Sequence, residues 1–318
     1  MYVEPETLLR AEGCLLGQLA GDSLGSLVEF QSLKQIRKKY PDGVRELADG
    51  GTWGTIAGQP TDDSEMALML ARILIKQRRY DAEEARKAYV FWLNSSPFDC
   101  GNTVSTGLRG KPNRDSQANG ALMRISPLGI FCCNWDRERT SEFAQQDAAL
   151  THPHPTCVQA NALFTMAIAE AISQRKGAQE IYEQIKVWAA EMKVDKLLMK
   201  TILDAANHPP IDYVTQKGWV IIAFQNALWQ LLHATALEEG VVDTVMRGGD
   251  TDTNAAIAGA LLGAVHGREA VPKQWVEKVL ACRPEAGLPN VRHPRPECFW
   301  PVDALHIAFS LVAGGESE

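Results

Sequence analysis

The sequence has 318 residues, of which 45% are hydrophobic and 22% are charged, and its 32 basic and 39 acidic side chains give a net charge of −7. These values are typical of a folded globular protein, and the acidic balance argues against a broad nucleic-acid-binding surface. The seven cysteines form no C-x-x-C pair, no secretion signal is evident and no apolar run is long enough to span a membrane, so we expect a cytoplasmic protein with reduced thiols.

Helical periodicity dominates the chain and predicts an all-α fold. Residues 218–224, GWVIIAF, have some strand character, but they run into QNALWQLLHA and we predict a helix there. No change in composition marks a linker, so we expect one domain over residues 1–318. The predicted helices cover residues 7–20, 64–77, 82–93, 141–150, 156–174, 178–192, 195–206, 219–235, 238–246, 253–266, 272–281 and 302–311.

One glycine pattern occurs twice, as GCLLGQLAG at 13–21 and GALLGAVHG at 259–267. Glycines four residues apart lie on one face of a helix, where they allow two backbones to approach closely. Because each interior glycine costs about 1 kcal/mol relative to alanine, a packing role is expected. We therefore predict that these two helices are neighbours, which would bring Asp22 and Glu29 near one end of the second helix.

Two acidic clusters precede predicted helices, PTDDSEM at 60–66 and GGDTDTN at 248–254. Helix capping is the alternative explanation, since Asp62 and Glu65 have the spacing of a capping box. Capping, however, needs one side chain per helix, whereas each cluster offers several oxygen ligands. Carboxylates and hydroxyls are hard donors suited to Mg²⁺ or Mn²⁺ rather than zinc. The clusters together predict a site for two divalent metal ions, whose charge offsets the repulsion among the carboxylates.

Several other residues are weaker candidates when taken alone. Glu29 and Asp99 each have an ordinary interpretation as a surface acid or a turn cap, and Asn119-Gly120 as a turn before a helix. His152 has the alternative of a loop histidine, and Trp219 that of a core residue. The sequence has no Walker loop, no G-x-G-x-x-G and no G-x-S-x-G motif, which argues against the corresponding nucleotide-binding and esterase chemistries.

Together, these motifs resemble the ADP-ribosylglycohydrolase family, which includes the dinitrogen-reductase-activating glycohydrolases and the ADP-ribosylarginine hydrolases. The resemblance covers most of residues 10–270, and the C-terminal part has no matching signature. It implies a compact orthogonal bundle of helices with a two-metal site in a cleft. The matching stretches are GQLAGDSLGSLVEF (17–30), TDDSEMAL (61–68), NGALMRISPLGIF (119–131), LTHPH (150–154), GWVIIAFQNALW (218–229) and GGDTDTNAAIAGALLGAVHG (248–267).

The resemblance also implies a role for each matching residue. Glu29 would lie close to the scissile ribose and act with Asp63 and Asp252 in catalysis. Substrate would be bound by Asn119, Gly120 and Met123, by His152, by Asp99 at the start of the cleft-shaping segment 99–119, and by Trp219 stacking near the adenine. The metal ligands would be Thr61, Asp62, Asp63, Asp250, Asp252 and Thr253, holding two Mg²⁺ or Mn²⁺ ions.

The expected reaction is hydrolysis of the glycosidic bond at C1″ of ADP-ribose attached to an acceptor, with a metal-associated water as nucleophile. The expected substrate is a protein that carries ADP-ribose on a side chain such as arginine, or another acceptor that carries ADP-ribose. Two alternatives remain at this point. One is a two-metal nucleotide phosphohydrolase; the other is a non-catalytic protein that binds and occludes an ADP-ribosyltransferase, which would then be a partner.

Overall fold

The computed structural model describes residues 3–315, and over that range the chain forms α-helices and short 3-10 turns without a β-strand. The helices pack as a compact bundle, which confirms the predicted all-α class. Their bounds are α1 Pro5–Gly25, α2 Leu33–Lys39, α3 Asp62–Gln77, α4 Ala82–Asn94, α5 Asn102–Leu108, α6 Ser126–Phe131, α7 Arg137–Ala149, α8 Pro155–Gln174, α9 Ala178–Glu191, α10 Lys196–Asp204, α11 Val220–His233, α12 Leu237–Met246, α13 Thr251–His266, α14 Lys273–Ala281 and α15 Ala304–Gly314.

All twelve predicted helices are present, including α11, where strand was the alternative. The sequence reading missed α2, α5 and α6, which have only six or seven residues each, because so short a helix shows too few turns for its periodicity to be recognised. It also ended α1 too early. The helix continues to Gly25, so Asp22 lies inside it rather than after it.

Helices α1 and α13 pack against each other along their glycine faces, as predicted. A Cβ atom added to Gly17 would lie 2.2 Å from the carbonyl oxygen of Gly259, and one added to Gly13 would lie 2.5 Å from that of Gly263. No side chain fits at such distances, so the glycines are required by close backbone approach. The pairing of Gly13 with Gly263 and of Gly25 with Asp252 shows that the two helices are antiparallel.

This antiparallel seam positions the functional residues. It brings the C-terminal end of α1 to the N-terminal end of α13, which is the end that carries the second acidic cluster. Residues 251–265 of α13 are all buried, so α13 is a central helix that is apolar on every side beyond its first turn. Among the helices of residues 3–315, none has the length and apolar character needed to cross a bilayer.

Candidate active site

A cavity of about 390 Å³ opens where α1, α3 and α13 meet. This volume lies within the range of small-molecule sites. Most of the predicted site residues line it, together with several residues that the sequence did not indicate. The predicted ones are Glu29, Asp62, Asp99, Asn119, Gly120, Met123, His152, Asp250, Asp252 and Thr253, and the additional ones are Phe30, Gly101, Asn102, Thr103, Val104, Ala118, Lys217 and Gly218.

Asp22 of α1 caps the beginning of α3 from a neighbouring helix. Its carboxylate accepts hydrogen bonds from the backbone N–H groups of Thr61 and Ser64, each at 3.1 Å, and lies 2.8 Å from Thr61 Oγ1. Helix α3 has no capping hydrogen bond from its own N-cap residue, Thr61, so the alternative explanation, a capping box of Asp62 and Glu65, does not apply. Because Asp22 satisfies the helix end, Asp62 and Asp63 are not needed as caps.

The second cluster is arranged in a similar way at the beginning of α13. Asp250 precedes the helix but does not cap it with its side chain. Instead, the amide of Asn119 donates to Asp250 Oδ2 at 2.7 Å. The backbone N–H of Asn119 donates to Gly218 O at 2.9 Å, so its side-chain amide and its backbone amide both bond within the protein. Asn119 therefore positions an acid of the site.

The two acidic clusters meet in space although they are far apart in the sequence. Carboxylate oxygens of Glu29, Asp250 and Asp252 all lie within 4.8 Å of one another. The charge of Asp250 helps to raise the pKa of Asp63, and the charge of Asp63 helps to raise the pKa of Asp252, so acids of the two clusters are neighbours. Both helices also direct their N-terminal ends at this site, and that end of a helix favours negative charge.

Burial raises the pKa of every acid in this group, and repulsion by neighbouring carboxylates adds to it for all of them except Asp250. Burial is the larger cause for Asp62, Asp63 and Asp252, and neighbouring carboxylates add to it, so the pKa of each lies well above its usual value. Burial, with Asp99 and Asp250 nearby, raises the pKa of Glu29 to about 8. The acids cannot all ionise without a compensating positive charge.

These residues have the properties expected of ligands for divalent cations. Within residues 3–315, the buried Asp63 Oδ1 has no hydrogen-bond partner, which is rare for a buried carboxylate oxygen. The candidate ligand atoms are oxygens of carboxylates and hydroxyls. The group of side chains within ligand distance of one another contains neither cysteine nor histidine. Thr61 and Asp63 are fully buried behind the cavity wall rather than on its lining.

Glu29 is held by a loop instead of a helix. The indole of Trp53 donates to Glu29 Oε2 at 2.5 Å. Trp53 in turn packs against Phe98, whose ring stacks on His293 with centroids 4.6 Å apart. His293 Nε2 lies 2.8 Å from Trp53 O. The C-terminal segment, which showed no family signature in the sequence, thus supports the loop that positions Glu29.

Glu65 is engaged in a buried ion pair and does not belong to the acidic group. Arg295 donates to both oxygens of Glu65, at 2.7 and 2.8 Å, and the indole of Trp92 donates to Oε2 at 2.8 Å. Arg295 and Glu65 are both almost fully buried. Glu65 therefore fixes the C-terminal segment against α3, and we exclude it from the set of candidate metal ligands.

Two predicted substrate residues have different positions relative to the cavity. His152 is buried, and its ring borders the cavity beside Gly120. Trp219 does not line this cavity: its indole donates to Gln117 Oε1 at 2.9 Å and its ring faces a separate cavity of about 280 Å³. Trp219 therefore lies outside the acid-lined cavity, and its stacking near the adenine stays a prediction.

The amino-acid sequence matches a known protein family over most of its length. The family model for ADP-ribosylglycohydrolase matches residues 4–291. The chain belongs to the ADP-ribosylglycohydrolase family. It is accordingly a hydrolase that acts on the glycosidic bond of ADP-ribose, and the acid-lined cavity is the candidate active site of this glycohydrolase.

Individual relatives cover the ADP-ribosylglycohydrolase chain over most of its length. It is 31% identical to a putative ADP-ribosyl glycohydrolase of Acanthamoeba polyphaga mimivirus, over 86% of this chain and 92% of the relative. It is 28% identical to the ADP-ribosyl-[dinitrogen reductase] glycohydrolase of Rhodospirillum rubrum, over 85% and 90%. A solved structure described as an ADP-ribosylglycohydrolase-related protein complex superposes with a TM-score of 0.80 at 23% identity, covering 98% of this chain and all of the other, which shows the shared fold.

Several residues that shape this glycohydrolase site were missed in the sequence. Asp22 was noted only as a neighbour of the second cluster, although its position one residue after a glycine of the helix face was a usable signal. Trp53 and His293 gave no signal, because Trp53 acts through a contact between loops with Glu29, 24 residues away, and His293 acts through Trp53, 240 residues away. Phe30 and Lys217 form the exposed edge of the cavity, with the Lys217 ammonium 4.2 Å from the centre of the Phe30 ring.

Proposed function

We propose that this glycohydrolase releases ADP-ribose from arginine side chains of ADP-ribosylated proteins, using two divalent ions, Mg²⁺ or Mn²⁺. The observation that carries the proposal is the number of acids at one site. Seven carboxylates lie on the cavity or directly behind it, and two divalent cations would offset only four of their charges. The acids are Asp22, Glu29, Asp62, Asp63, Asp99, Asp250 and Asp252.

The remaining negative charge favours a cationic acceptor. A guanidinium group is positively charged at every physiological pH, whereas serine and small alcohols are neutral. The glycosidic bond to arginine would therefore place a positive group beside a negative wall.

The protein's own groups have separate roles in the proposed reaction. Glu29, held by Trp53, accepts the proton of the water that attacks C1″. The bond from the water oxygen to C1″ forms while the bond from C1″ to the guanidine nitrogen breaks, and its electron pair leaves with that nitrogen. Positive charge that develops on the ribose is stabilised by the surrounding carboxylates.

The residues that we propose as metal ligands are Thr61, Asp62, Asp63, Asp250, Asp252 and Thr253. The carboxylate of Glu29 lies within 4.8 Å of those of Asp250 and Asp252, where a bound cation would help to keep the base ionised. When bound at such a site, divalent ions hold vicinal hydroxyls and make a water molecule more acidic. The seven free thiols suit a reducing compartment, so we propose a cytoplasmic location.

A substrate panel tests the proposal. The protein and Mg²⁺ are incubated with peptides carrying ADP-ribose on arginine or on serine, and the products are identified by mass spectrometry. We expect free ADP-ribose and unmodified arginine peptide, with much slower release from serine. AMP or orthophosphate as the product would indicate a phosphohydrolase, and faster release from serine would overturn the choice of acceptor.

A further inference from the structure

One ring nitrogen of His152 faces the cavity without a protein partner. The side chain is fully buried, and Nε2 makes no hydrogen bond to any residue of the described chain. A Cβ atom at Gly120 would lie 3.1 Å from Cε1 and 3.2 Å from Nε2 of the ring. His152 and Gly120 both line the cavity, so this edge of the imidazole packs beside Gly120 at the cavity wall. A buried polar atom in such a position is expected to bond to a ligand.

The other ring nitrogen belongs to a buried hydrogen-bond chain. His152 Nδ1 lies 2.7 Å from Thr151 Oγ1, and Arg124 Nη1 donates to the same hydroxyl oxygen at 2.9 Å. A guanidinium has donors only, so Thr151 accepts from Arg124 and keeps its own proton for another group. Over residues 3–315, the only other group bonded to this hydroxyl is His152 Nδ1, so Thr151 donates to Nδ1.

The contacts of Arg124 on its other side fix the direction of this chain of hydrogen bonds. Arg124 Nε donates to Asp147 Oδ1 at 3.2 Å and Nη2 donates to Asp147 O at 3.0 Å. Asp147 Oδ2 also accepts from the hydroxyl of Tyr89 at 2.9 Å, and the guanidinium lies 4.4 Å from the centre of the Tyr89 ring. Arg124, Asp147 and Tyr89 are all fully buried. The guanidinium consequently has no room to rotate away from Thr151.

The His152 ring carries a single proton. Burial, together with the nearby Arg124 charge, lowers the pKa of His152 to about 3. The ring is then neutral at physiological pH, and a neutral imidazole has one N–H and one acceptor nitrogen. Since Nδ1 accepts from Thr151, the proton lies on Nε2.

From this geometry we infer that Thr151 and Arg124 are positioning residues that hold His152 as the Nε2–H tautomer, so that His152 donates a hydrogen bond to an oxygen of ADP-ribose. The identity of this ligand rests on the proposed function. The oxygen belongs either to the diphosphate or to the distal ribose, since both offer acceptors of the same chemistry. The tautomer itself depends only on the protein.

The first experiment observes the tautomer in the free protein. Histidine ¹⁵N is introduced selectively, and long-range ¹H–¹⁵N spectra distinguish a protonated Nε2 from a protonated Nδ1 for each of the seven histidines. The His152 signals are assigned by their loss in His152→Asn. We expect a single tautomer with its proton on Nε2. A proton on Nδ1, or exchange between the two forms, would overturn the inference.

The second experiment removes the Thr151 hydroxyl. Thr151→Val should lose the single tautomer and bind ADP-ribose about tenfold more weakly, the scale of one hydrogen bond to a charged group. Thr151→Ser should restore both properties. Thr201→Val is the matched control, because it removes a buried hydroxyl whose only hydrogen-bond partner within residues 3–315 is Leu197 O. Unchanged affinity and tautomer in Thr151→Val would contradict the inference.

Titration of the wild-type protein with two ligands identifies the accepting oxygen. A shift of the Nε2–H signal with ADP as well as with ADP-ribose assigns it to the diphosphate, and a shift with ADP-ribose alone assigns it to the distal ribose. No shift with either ligand would show that His152 does not contact ADP-ribose. If the Nε2–H form is found while ADP-ribosylarginine is not hydrolysed, the proposed acceptor fails and the positioning role stands.

Discussion

The floor and the rim of the active-site cavity are built in different ways. The floor consists of Asp62, Asp250 and Asp252 on the cavity lining with Asp63 directly behind them, and these residues lie in or next to the first turns of α3 and α13 and are fixed by helix packing. What we call the rim consists of Glu29 on the lining and of Trp53, Phe98 and His293 behind it, which lie on loops and hold one another through side-chain contacts.

The floor and the rim therefore depend on different features of the structure. The backbone of the floor is determined by the α1–α13 seam, where glycine faces exclude any side chain. A change in the seam should therefore affect the whole fold. The geometry of the rim depends on single hydrogen bonds and ring contacts, each contributing about 1 kcal/mol. A change in the rim should alter catalysis while the fold persists.

The largest effect is expected from the seam. In Gly17→Ala, the new Cβ atom would meet the Gly259 carbonyl oxygen at 2.2 Å, and a backbone atom cannot move aside. We expect a loss of about 3 kcal/mol or more in the free energy of unfolding, measured by urea denaturation with circular dichroism. Gly177→Ala is the control, since its Cβ atom would lie 3.6 Å from the nearest atom. Equal stability of the two variants would show that the seam does not determine the floor.

Asp252→Asn tests the floor without changing its shape. The substitution removes one buried charge from a crowded group, so the metal-free protein should become more stable. Hydrolysis should fall by at least about 100-fold, because misplacement of a reacting group has effects of that size. Calorimetry with and without Mn²⁺ measures both stability and metal dependence.

The exposed Asp42 provides the control for that experiment. Asp42→Asn should leave both the melting temperature and the rate close to those of the wild type. An Asp252→Asn protein that retains full activity, or that Mn²⁺ stabilises as much as the wild type, would remove Asp252 from the site.

Trp53→Phe tests the rim. The variant keeps the aromatic contact with Phe98 but loses the N–H that bonds to Glu29. We expect kcat to fall about tenfold with little change in KM or in stability, since one hydrogen bond to a charged group is lost. Trp135→Phe is the control, because the Trp135 indole N–H donates to no described residue. Equal kcat in the two variants would show that Trp53 does not position Glu29.

The last prediction concerns the pH dependence of stability through His152. Its pKa is about 3 in the folded protein and about 6.5 when unfolded. Between these values the unfolded chain binds a proton that the folded protein does not, so stability decreases as pH falls, by up to about 1.4 kcal/mol per pH unit. In His152→Asn this contribution should disappear. Identical slopes for both proteins in urea denaturation from pH 7 to pH 5 would contradict the buried, neutral state.

The same division explains how much the sequence could predict. The glycine spacing and the two acidic clusters identified the seam and the floor, because helix packing and helix N-termini leave local patterns. Trp53 and His293 could not be found, since their roles arise from contacts between loops 240 residues apart. The role of Thr151 could not be predicted either, because its hydroxyl orients His152 through a contact with Arg124 that the sequence does not show.

The central claim is that acids from the beginnings of α3 and α13 bind the same pair of divalent ions. Crystals grown with Mn²⁺ and measured at the manganese absorption edge test it directly. We predict two anomalous peaks about 3.5–4 Å apart, with oxygens of Asp62 or Asp63 and of Asp250 or Asp252 coordinating them. Anomalous density at only one cluster, or at neither, would contradict the account.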